Sequence, residues 1–320
     1  MSRLLSGIVL VAVVAWPGPS TGQPYPSRPI RLVVPFGPGG TTDVIARVVA
    51  QKLAVSIGPI VVENTPGAGG NIAYEYVANA APNGYTLLAA HPALTINPSL
   101  YGSVGYNPLT SFAPVVLMAA TPLLLAVHPS LPARNVRELI ALAKKRPGEL
   151  TFASAGNGST SHLAGDMFRN LAGINLLHVP YKGAAPGMLD LVNGTMSLMI
   201  NPLPEMLPFS QPGKIRALAT TGKKRSPVVP DLPTIDEAGI PRYEILTWAG
   251  IVAPAGVPKE IIARLNKEII PILQMPDVRE QMMGLGYVIL GSSPDEFATY
   301  LKAETEKWAK VIKASGTKVE

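Results

Sequence analysis

The sequence predicts an α/β protein of two lobes, and three observations carry that expectation. Short β-branched and apolar runs alternate with longer stretches of helical period, the pattern of βαβ units around a mostly parallel sheet. The 320 residues are more than one core usually organises, since a lobe takes about 100 to 200. Three glycine-rich loops each follow a β-type run and precede a helical one: Phe36-Gly37-Pro38-Gly39-Gly40-Thr41-Thr42, Pro66-Gly67-Ala68-Gly69-Gly70-Asn71 and Ser154-Ala155-Gly156-Asn157-Gly158-Ser159-Thr160.

Taken in chain order, residues 1–22 read as a secretory leader. Arg3 precedes an apolar stretch over 8–16, and the small residues Ser20 and Gly22 suit cleavage between Gly22 and Gln23. The apolar stretch is far shorter than the ~20 residues of a membrane span, so an exported, soluble chain is expected. Strands are expected at 30–35, 60–63 and 86–90. The helix after the first loop places Ile45, Val49 and Leu53 on a buried stripe and Asp43, Arg47 and Gln51 on the polar face, with Asp43 and Arg47 spaced as an i,i+4 pair. Apolar runs at 112–118 and 123–127, broken by proline steps, suit two strands crossing into a second lobe. That lobe has expected strands at 150–154, 176–181, 197–201 and 215–220. The return crossing is expected at 215–221, with 247–252 as the rival, so residues 23–121 and 222–320 form lobe 1 and residues 122–221 form lobe 2. Two long helices close the chain. One opens at Pro258 and carries Ile262, Leu265, Ile269 and Leu273, with Pro271 kinking its last turn. The other opens on the capping box of Ser293, Pro294 and Glu296, lines up Phe297, Leu301, Trp308 and Ile312, and stops at Gly316.

Composition removes several function classes. The absence of cysteine excludes disulfides, thiolate metal sites and cysteine nucleophiles. A formal charge of +6 favours anionic partners, yet the basic residues are dispersed apart from Lys144-Lys145-Arg146 and Lys223-Lys224-Arg225, and with 6% aromatics no nucleic-acid surface is expected. None of the glycine loops ends in the Gly-Lys-Ser/Thr of a phosphate-binding loop, and Ile72 breaks a dinucleotide fingerprint. Gly-x-Ser-x-Gly and His-Glu-x-x-His are absent, and His91, His128, His162 and His178 lack metal-ligand spacing, so no catalytic residue, metal or cofactor is assigned.

What remains is anion chemistry. A glycine loop lets backbone amides approach a ligand without a Cβ in the way, and the helix that follows adds about half a positive charge. The third loop adds the hydroxyls of Ser154, Ser159, Thr160 and Ser161, more than an N-cap requires. His162, in the first turn of the next helix and four residues before Asp166, reads first as a brace for the loop, then as a ligand contact and last as a catalytic base. On this reading Gly158→Val removes binding and leaves the fold intact.

The motifs, in their order, resemble the tripartite tricarboxylate transporter substrate-binding proteins, the Bug family of periplasmic solute receptors. The resemblance covers residues 23–320. It rests on Tyr25-Pro26-Ser27-Arg28-Pro29-Ile30, Val34-Pro35-Phe36-Gly37-Pro38-Gly39-Gly40 with Asp43 and Arg47, Val62-Glu63-Asn64-Thr65-Pro66-Gly67-Ala68-Gly69-Gly70-Asn71, and Asn97-Pro98-Ser99-Leu100-Tyr101. It continues through Gly156-Asn157-Gly158-Ser159-Thr160-Ser161-His162, His178-Val179-Pro180-Tyr181-Lys182-Gly183, Asp231-Leu232-Pro233-Thr234, Trp248-Ala249-Gly250 and Ala253-Pro254-Ala255-Gly256-Val257-Pro258. The resemblance implies a type II periplasmic-binding-protein fold, a Venus flytrap closing on a carboxylated solute. It places the carboxylate between the first loop, with Phe36, Gly39, Gly40, Thr41 and Thr42, and the third, with Ser154, Gly156, Gly158, Ser159, Thr160 and His162. Gly67, Ala68 and Gly69 of the second loop, His91, Tyr181 and Lys182 line the walls, Lys182 being either a charge partner or an exposed loop lysine. Relatives often carry acids where this chain has Gly194-Thr195-Met196-Ser197 and Asn201, which makes the cleft less negative and cationic ligands less suitable.

The function expected is that of a monomeric, non-catalytic periplasmic receptor for a di- or tricarboxylate or an aromatic carboxylate, handed to inner-membrane permease subunits and needing no cofactor. A carboxylate sensor docking on a signalling receptor is the alternative, and an exported carboxylate-processing enzyme a more distant one.

Overall fold

The structure, a computed structural model, describes residues 25–315. The leader, the cleavage after Gly22 and the stop at Gly316 lie outside the described residues. The first lobe begins β1 (Ile30–Val34), α1 (Thr41–Ile57), β2 (Ile60–Asn64), α2 (Asn71–Ala78), β3 (Thr86–Ala90) and α3 (Ala93–Leu100). Strand β4 (Phe112–Val127) then leads into α4 (Val136–Lys145), β5 (Thr151–Ser154), α5 (Thr160–Ala172), β6 (Leu177–Pro180), α6 (Ala184–Val192), β7 (Leu198–Pro202), α7 (Leu203–Ser210) and β8 (Arg216–Thr220). The chain returns through β9 (Leu246–Pro254), α8 (Lys259–Gln274), α9 (Pro276–Gly284), β10 (Val288–Ile289) and α10 (Pro294–Ser315).

In the first lobe β1 lies parallel between β2 and β3, with Leu32 opposite both Val62 and Leu87. Its side chains are buried on both faces: Ile30, Leu32 and Val34 enter one core and Val33 the other. That is why the strand reads as an apolar run broken only by Arg31, which is exposed and pairs with Glu63 of β2. In the second lobe β5 lies parallel between β6 and β7. The crossing strands add antiparallel pairs, β9 on β3, β4 and β9 on each other, β10 on β4, and β7 and β8 on β4. The result is an α/β fold with mixed sheets flanked by helices, less parallel than the sequence suggests.

The two expected strands at 112–118 and 123–127 are one continuous strand, β4. Prolines break a strand when their missing N–H removes a ladder bond. Here Pro114 falls at a shift in register against β9, and Pro122 is the last residue of β4 opposite β9, facing Leu246. From Leu123 on, β4 belongs to the second sheet, and its side chains alternate between two cores, Leu123, Leu125 and Val127 in one and Leu124 and Ala126 in the other. Strand β8 stays beside this far half and β9 beside the near half. Ile235, Ile240, Tyr243 and Ile245, between them in sequence, lie in the core of the second lobe. By packing, we propose that the lobe boundary lies between Ile245 and Leu246 rather than at 221/222.

Helix formation follows the expected chemistry. Residues Ile45, Val49 and Leu53 of α1 are buried while Arg47 and Gln51 are exposed. Helix α10 opens on the capping box, with Glu296 N–H donating to Ser293 Oγ at 3.2 Å and Ser293 N–H to Glu296 Oε2 at 2.8 Å. Its Phe297 and Leu301 pack in the first lobe and Trp308 and Ile312 in the second. Helix α3 does the same, with Leu94 in the first and Ile96 and Leu100 in the second, so two helices brace the lobes.

A single buried side chain ties the crossing. Thr221 Oγ1 accepts from Leu123 N–H at 2.8 Å and donates to the Ile245 carbonyl at 2.6 Å, while the backbone of Thr221 exchanges bonds with the same two residues. Valine would keep the shape and lose both side-chain bonds, leaving a buried amide and carbonyl unmet. Thr221→Val is therefore expected to cost about 2 to 4 kcal/mol and several degrees of melting temperature. Chemical denaturation checks this, and a change below about 0.5 kcal/mol, the size of an ordinary surface substitution, contradicts it.

Candidate functional site

The first loop is held by a buried carboxylate. Asp43 accepts from Gly39 N–H at 2.9 Å, from Arg47 Nε at 3.0 Å and from Asn64 Nδ2 at 2.9 Å, and Asn64 Nδ2 also reaches the Phe36 carbonyl at 2.8 Å. The expected Asp43–Arg47 pair thus forms, but its larger role is to fix the turn in which Gly39 takes φ +87°. The donors from Arg47, Gly39 and Asn64 outweigh burial and hold the Asp43 carboxyl below its usual range. Gly40 caps α1 in an extended conformation, and its carbonyl accepts from Val44 N–H at 3.0 Å. Thr41 donates from N–H and Oγ1 to Glu205 Oε1 at 3.4 and 3.0 Å, a contact from the first lobe into α7 of the second. The Thr42 hydroxyl is buried and has no hydrogen-bond partner.

Around this loop the ring of His91 meets that of Phe36 edge-on at 4.7 Å. Its Nδ1 accepts from Ala93 N–H at 3.2 Å, its Nε2 lies 3.4 Å from Thr247 Oγ1, and burial pushes its pKa down to about 3. His91 is therefore a neutral wall residue. In the second loop Gly67, Ala68, Gly69 and Gly70 all have positive φ, a conformation that costs Ala68 strain. The loop is pinned by Asn97 Nδ2, which donates to the Gly69 carbonyl at 3.0 Å, and a Cβ on Gly69 would stand 2.7 Å from the Tyr101 hydroxyl.

The third loop is braced from within. Gly158 N–H donates to His162 Nδ1 at 3.1 Å, Ala155 N–H to Ser161 Oγ at 2.9 Å, and Gly156 N–H to Ser154 Oγ at 3.2 Å. Ser159 caps α5 by accepting from His162 N–H and donates to the Gly156 carbonyl at 2.7 Å. Of the three readings of His162 the geometry supports the brace: its Nδ1 accepts from the loop while Nε2 faces Asp166 at 3.4 Å. Its ring stacks on His178 at 4.0 Å, and His178 Nε2 lies 2.6 Å from Ser154 Oγ. That serine-histidine pair is no catalytic dyad. Ser154 is fully buried, and burial together with the neighbouring His162 pushes His178 down to about 3, too weak a base to take a proton at neutral pH. Thr160, the first residue of α5, has a buried hydroxyl without a partner.

Gly158 approaches α3 so closely that a Cβ would lie 2.6 Å from Leu100 Cδ2, at φ +78°. The second and third loops are thereby brought together through Asn97, Leu100 and Tyr101. Gly158→Val is consequently expected to strain the fold as well as the loop, against the sequence expectation that it spares the fold. The Tyr181 backbone runs beside the third loop, donating to the Ser154 carbonyl at 3.1 Å, but its hydroxyl is committed to Asp190 at 2.5 Å and pushed up to about 12, mainly by desolvation. Lys182 is exposed. Asn201 is buried and donates to Glu205 Oε2 at 2.7 Å. Sequence reading missed Glu205, Asn97 and the role of His178. Asn97 and His178 each stand in a motif of the resemblance without a role attached to it, and Glu205 stands in none. Among the described residues no three His, Asp or Glu converge as a metal site requires.

Three histidines, His91, His162 and His178, are held neutral in the fold by burial and protonate freely once the chain unfolds. The unfolded chain then binds more protons, so their contribution is complete above about pH 6.5 and is lost as pH falls toward 3. Each adds at most about 1.4 kcal/mol per pH unit, reduced by solvent screening at the half-buried His178. The melting temperature is expected to fall between about pH 6.5 and 4, and the fall should be shallower in His178→Gln. Parallel pH profiles for the two proteins would contradict this.

The chain is similar to known proteins over most of its length. The family described as "Tripartite tricarboxylate transporter family receptor" matches residues 45–317. A Pseudomonas sp. (strain P51) protein, described as a UPF0065 protein in the tcbD-tcbE intergenic region, is 40% identical over 97% of this chain and 93% of its own. Among solved structures, R. palustris Rpa4515 with adipate shares 40% identity at a TM-score of 0.87, covering 92% of this chain and all of the other. MatC (Rpa3494) from Rhodopseudomonas palustris with bound malate shares 33% at 0.84, covering 90% and 100%. With the family match over most of its length and the same two-lobed fold, the chain belongs to the receptors of the tripartite tricarboxylate transporter family, which are solute-binding proteins and not enzymes.

Proposed function

We propose that the protein is a periplasmic receptor that captures a small organic carboxylate between its lobes and delivers it to inner-membrane permease subunits. The observation that carries this reading is that, among the buried hydroxyls without partners, two lie at helix N-termini behind glycine loops, Thr42 in the first turn of α1 and Thr160 in the first turn of α5, one from each lobe. A buried hydroxyl left unmet costs about 1 to 3 kcal/mol. Two such groups at helix N-termini, where the backbone dipole favours negative charge, suit a carboxylate bridging the lobes. Relatives solved with adipate and with malate support this ligand class. The mechanism is lobe closure, in which the anion favours the state that lets both hydroxyls bind it. The glycine amides take a different part from the one sequence suggests, because those of Gly39, Ala155, Gly156 and Gly158 already bond within their own loops and shape the cradle.

The test is a thermal shift against a panel of carboxylates. An acid at 100 times its Kd adds about 2.7 kcal/mol, several degrees of melting temperature. Sugars or cations shifting the midpoint while no organic acid does would sink the reading. Thr160→Val and Thr42→Val are expected to weaken binding of the effective acid about tenfold or more, since a hydrogen bond to a charged group is worth about 1.5 to 3 kcal/mol. Without added acid the same variants should melt no lower than the parent, because a methyl replaces an unmet hydroxyl. Isothermal titration and melting on the same samples check both, and unchanged affinity removes that hydroxyl from the site.

A further inference from the structure

Glu205 projects from the first turn of α7, in the second lobe, onto the first turn of α1 in the other. Its Oε1 accepts from Thr41 N–H at 3.4 Å and from Thr41 Oγ1 at 3.0 Å, and its Oε2 accepts from Asn201 Nδ2 at 2.7 Å. Buried Tyr287 lies beside Thr41 and Glu205 at the same place. Among the described residues no lysine or arginine forms an ion pair with Glu205. The carboxylate is held instead by neutral donors and by the N-termini of two helices, each worth about half a charge. It stands on the donors of the residue immediately before Thr42.

We propose that Glu205 is a specificity-determining residue: a carboxylate of the protein's own fills the Thr41 pole of the cleft, so the receptor takes a ligand with a single carboxylate and discriminates against dianions. The proposal rests on the carboxylate-receptor reading above and narrows its ligand class. Two physical effects act in the same direction. Thr41 has no N–H or hydroxyl left to offer, which leaves Thr42 and Thr160 as the side chains with an unmet hydroxyl in the first turns of α1 and α5. A fixed negative charge in a closing, water-poor cleft repels ligand charge, and a second carboxylate on a small acid meets that repulsion wherever its other end is bound. Asn201 strengthens the arrangement as a neutral donor, for an acid at that position would face Glu205 directly. A ligand end carrying a hydroxyl or amide N–H is favoured near Glu205, because it can donate where a carboxylate cannot.

Matched pairs of diacid and half-amide separate charge from shape: adipate with adipamate, malate with its half-amides, terephthalate with its half-amide. Affinities are measured by isothermal titration on the full mature protein and on Glu205→Gln, with Glu205→Ala as a second variant should the first not fold. The parent is expected to bind the half-amide of its preferred skeleton at least about tenfold more tightly than the diacid. In Glu205→Gln that ratio is expected to fall to within about twofold, mainly through tighter binding of the diacid. A parent that binds the diacid as tightly as the half-amide overturns the proposal, as does a ratio that survives in the variants. Loss of both ligands in both variants also overturns it and leaves Glu205 as an interlobe tie. If no acid of any pair binds the parent or the variants, the carboxylate reading itself falls, and this inference with it.

Discussion

The structure depends on the passage of one strand through two sheets. Strand β4 lends its first half to the first lobe and its second half to the other, and its side chains enter the cores of both. Because the strand is continuous, the two sheets share a fixed direction at the crossing, and the loops at the ends of β1, β3, β5 and β7 are held in relation to one another. The Thr221 hydroxyl joins this strand to the return segment at Ile245. Without that geometry the glycine loops would be isolated motifs. With it, a residue of α7 reaches the first turn of α1, and Gly158 of the third loop packs on α3.

Within this frame the glycines shape the loops more than they supply donors. Positive φ at Gly39, Gly69 and Gly158 permits turns that other residues would resist. The amides so exposed are claimed by side chains of the protein, Asp43 in the first loop and Ser154, Ser161 and His162 in the third. Each loop is thereby rigid before any solute arrives, which lowers the ordering cost of binding. The unmet hydroxyls left beside these loops, Thr42 and Thr160, are neutral. A receptor that must release its cargo is better served by hydroxyl contacts than by a buried ion pair, whose removal leaves an uncompensated charge.

Much of this was legible in the sequence because it is local. Helix α1 follows its four-residue apolar spacing, Asp43 finds Arg47 one turn on, and Ser293 with Glu296 marks the start of α10. The glycine loops announce their positions between strand and helix. What the sequence concealed is long-range or depends on compensation. Pro114 and Pro122 read as breaks between strands, and they are tolerated because one sits at a register shift and the other at the end of a pairing. Nothing near Glu205 reveals that its partner is 164 residues away. The tie between Asn97 and Gly69 is equally invisible, since it requires knowing that α3 lies against the second loop. His162 was ambiguous for a related reason: a histidine four residues from an aspartate suits a brace and a ligand contact alike, until its stacking on His178 is seen.

The central claim is that the cleft holds a carboxylate through hydroxyls contributed by both lobes, beside a carboxylate of the protein's own. The most direct measurement is a crystal structure of the protein with the acid that gives the largest thermal shift. The ligand carboxylate oxygens are expected to lie within about 2.5 to 3.0 Å of both Thr42 Oγ1 and Thr160 Oγ1, with Glu205 still on Thr41. An acid bound through Lys182 or outside the cleft, or one that displaces Glu205 and takes the Thr41 donors for itself, would contradict it.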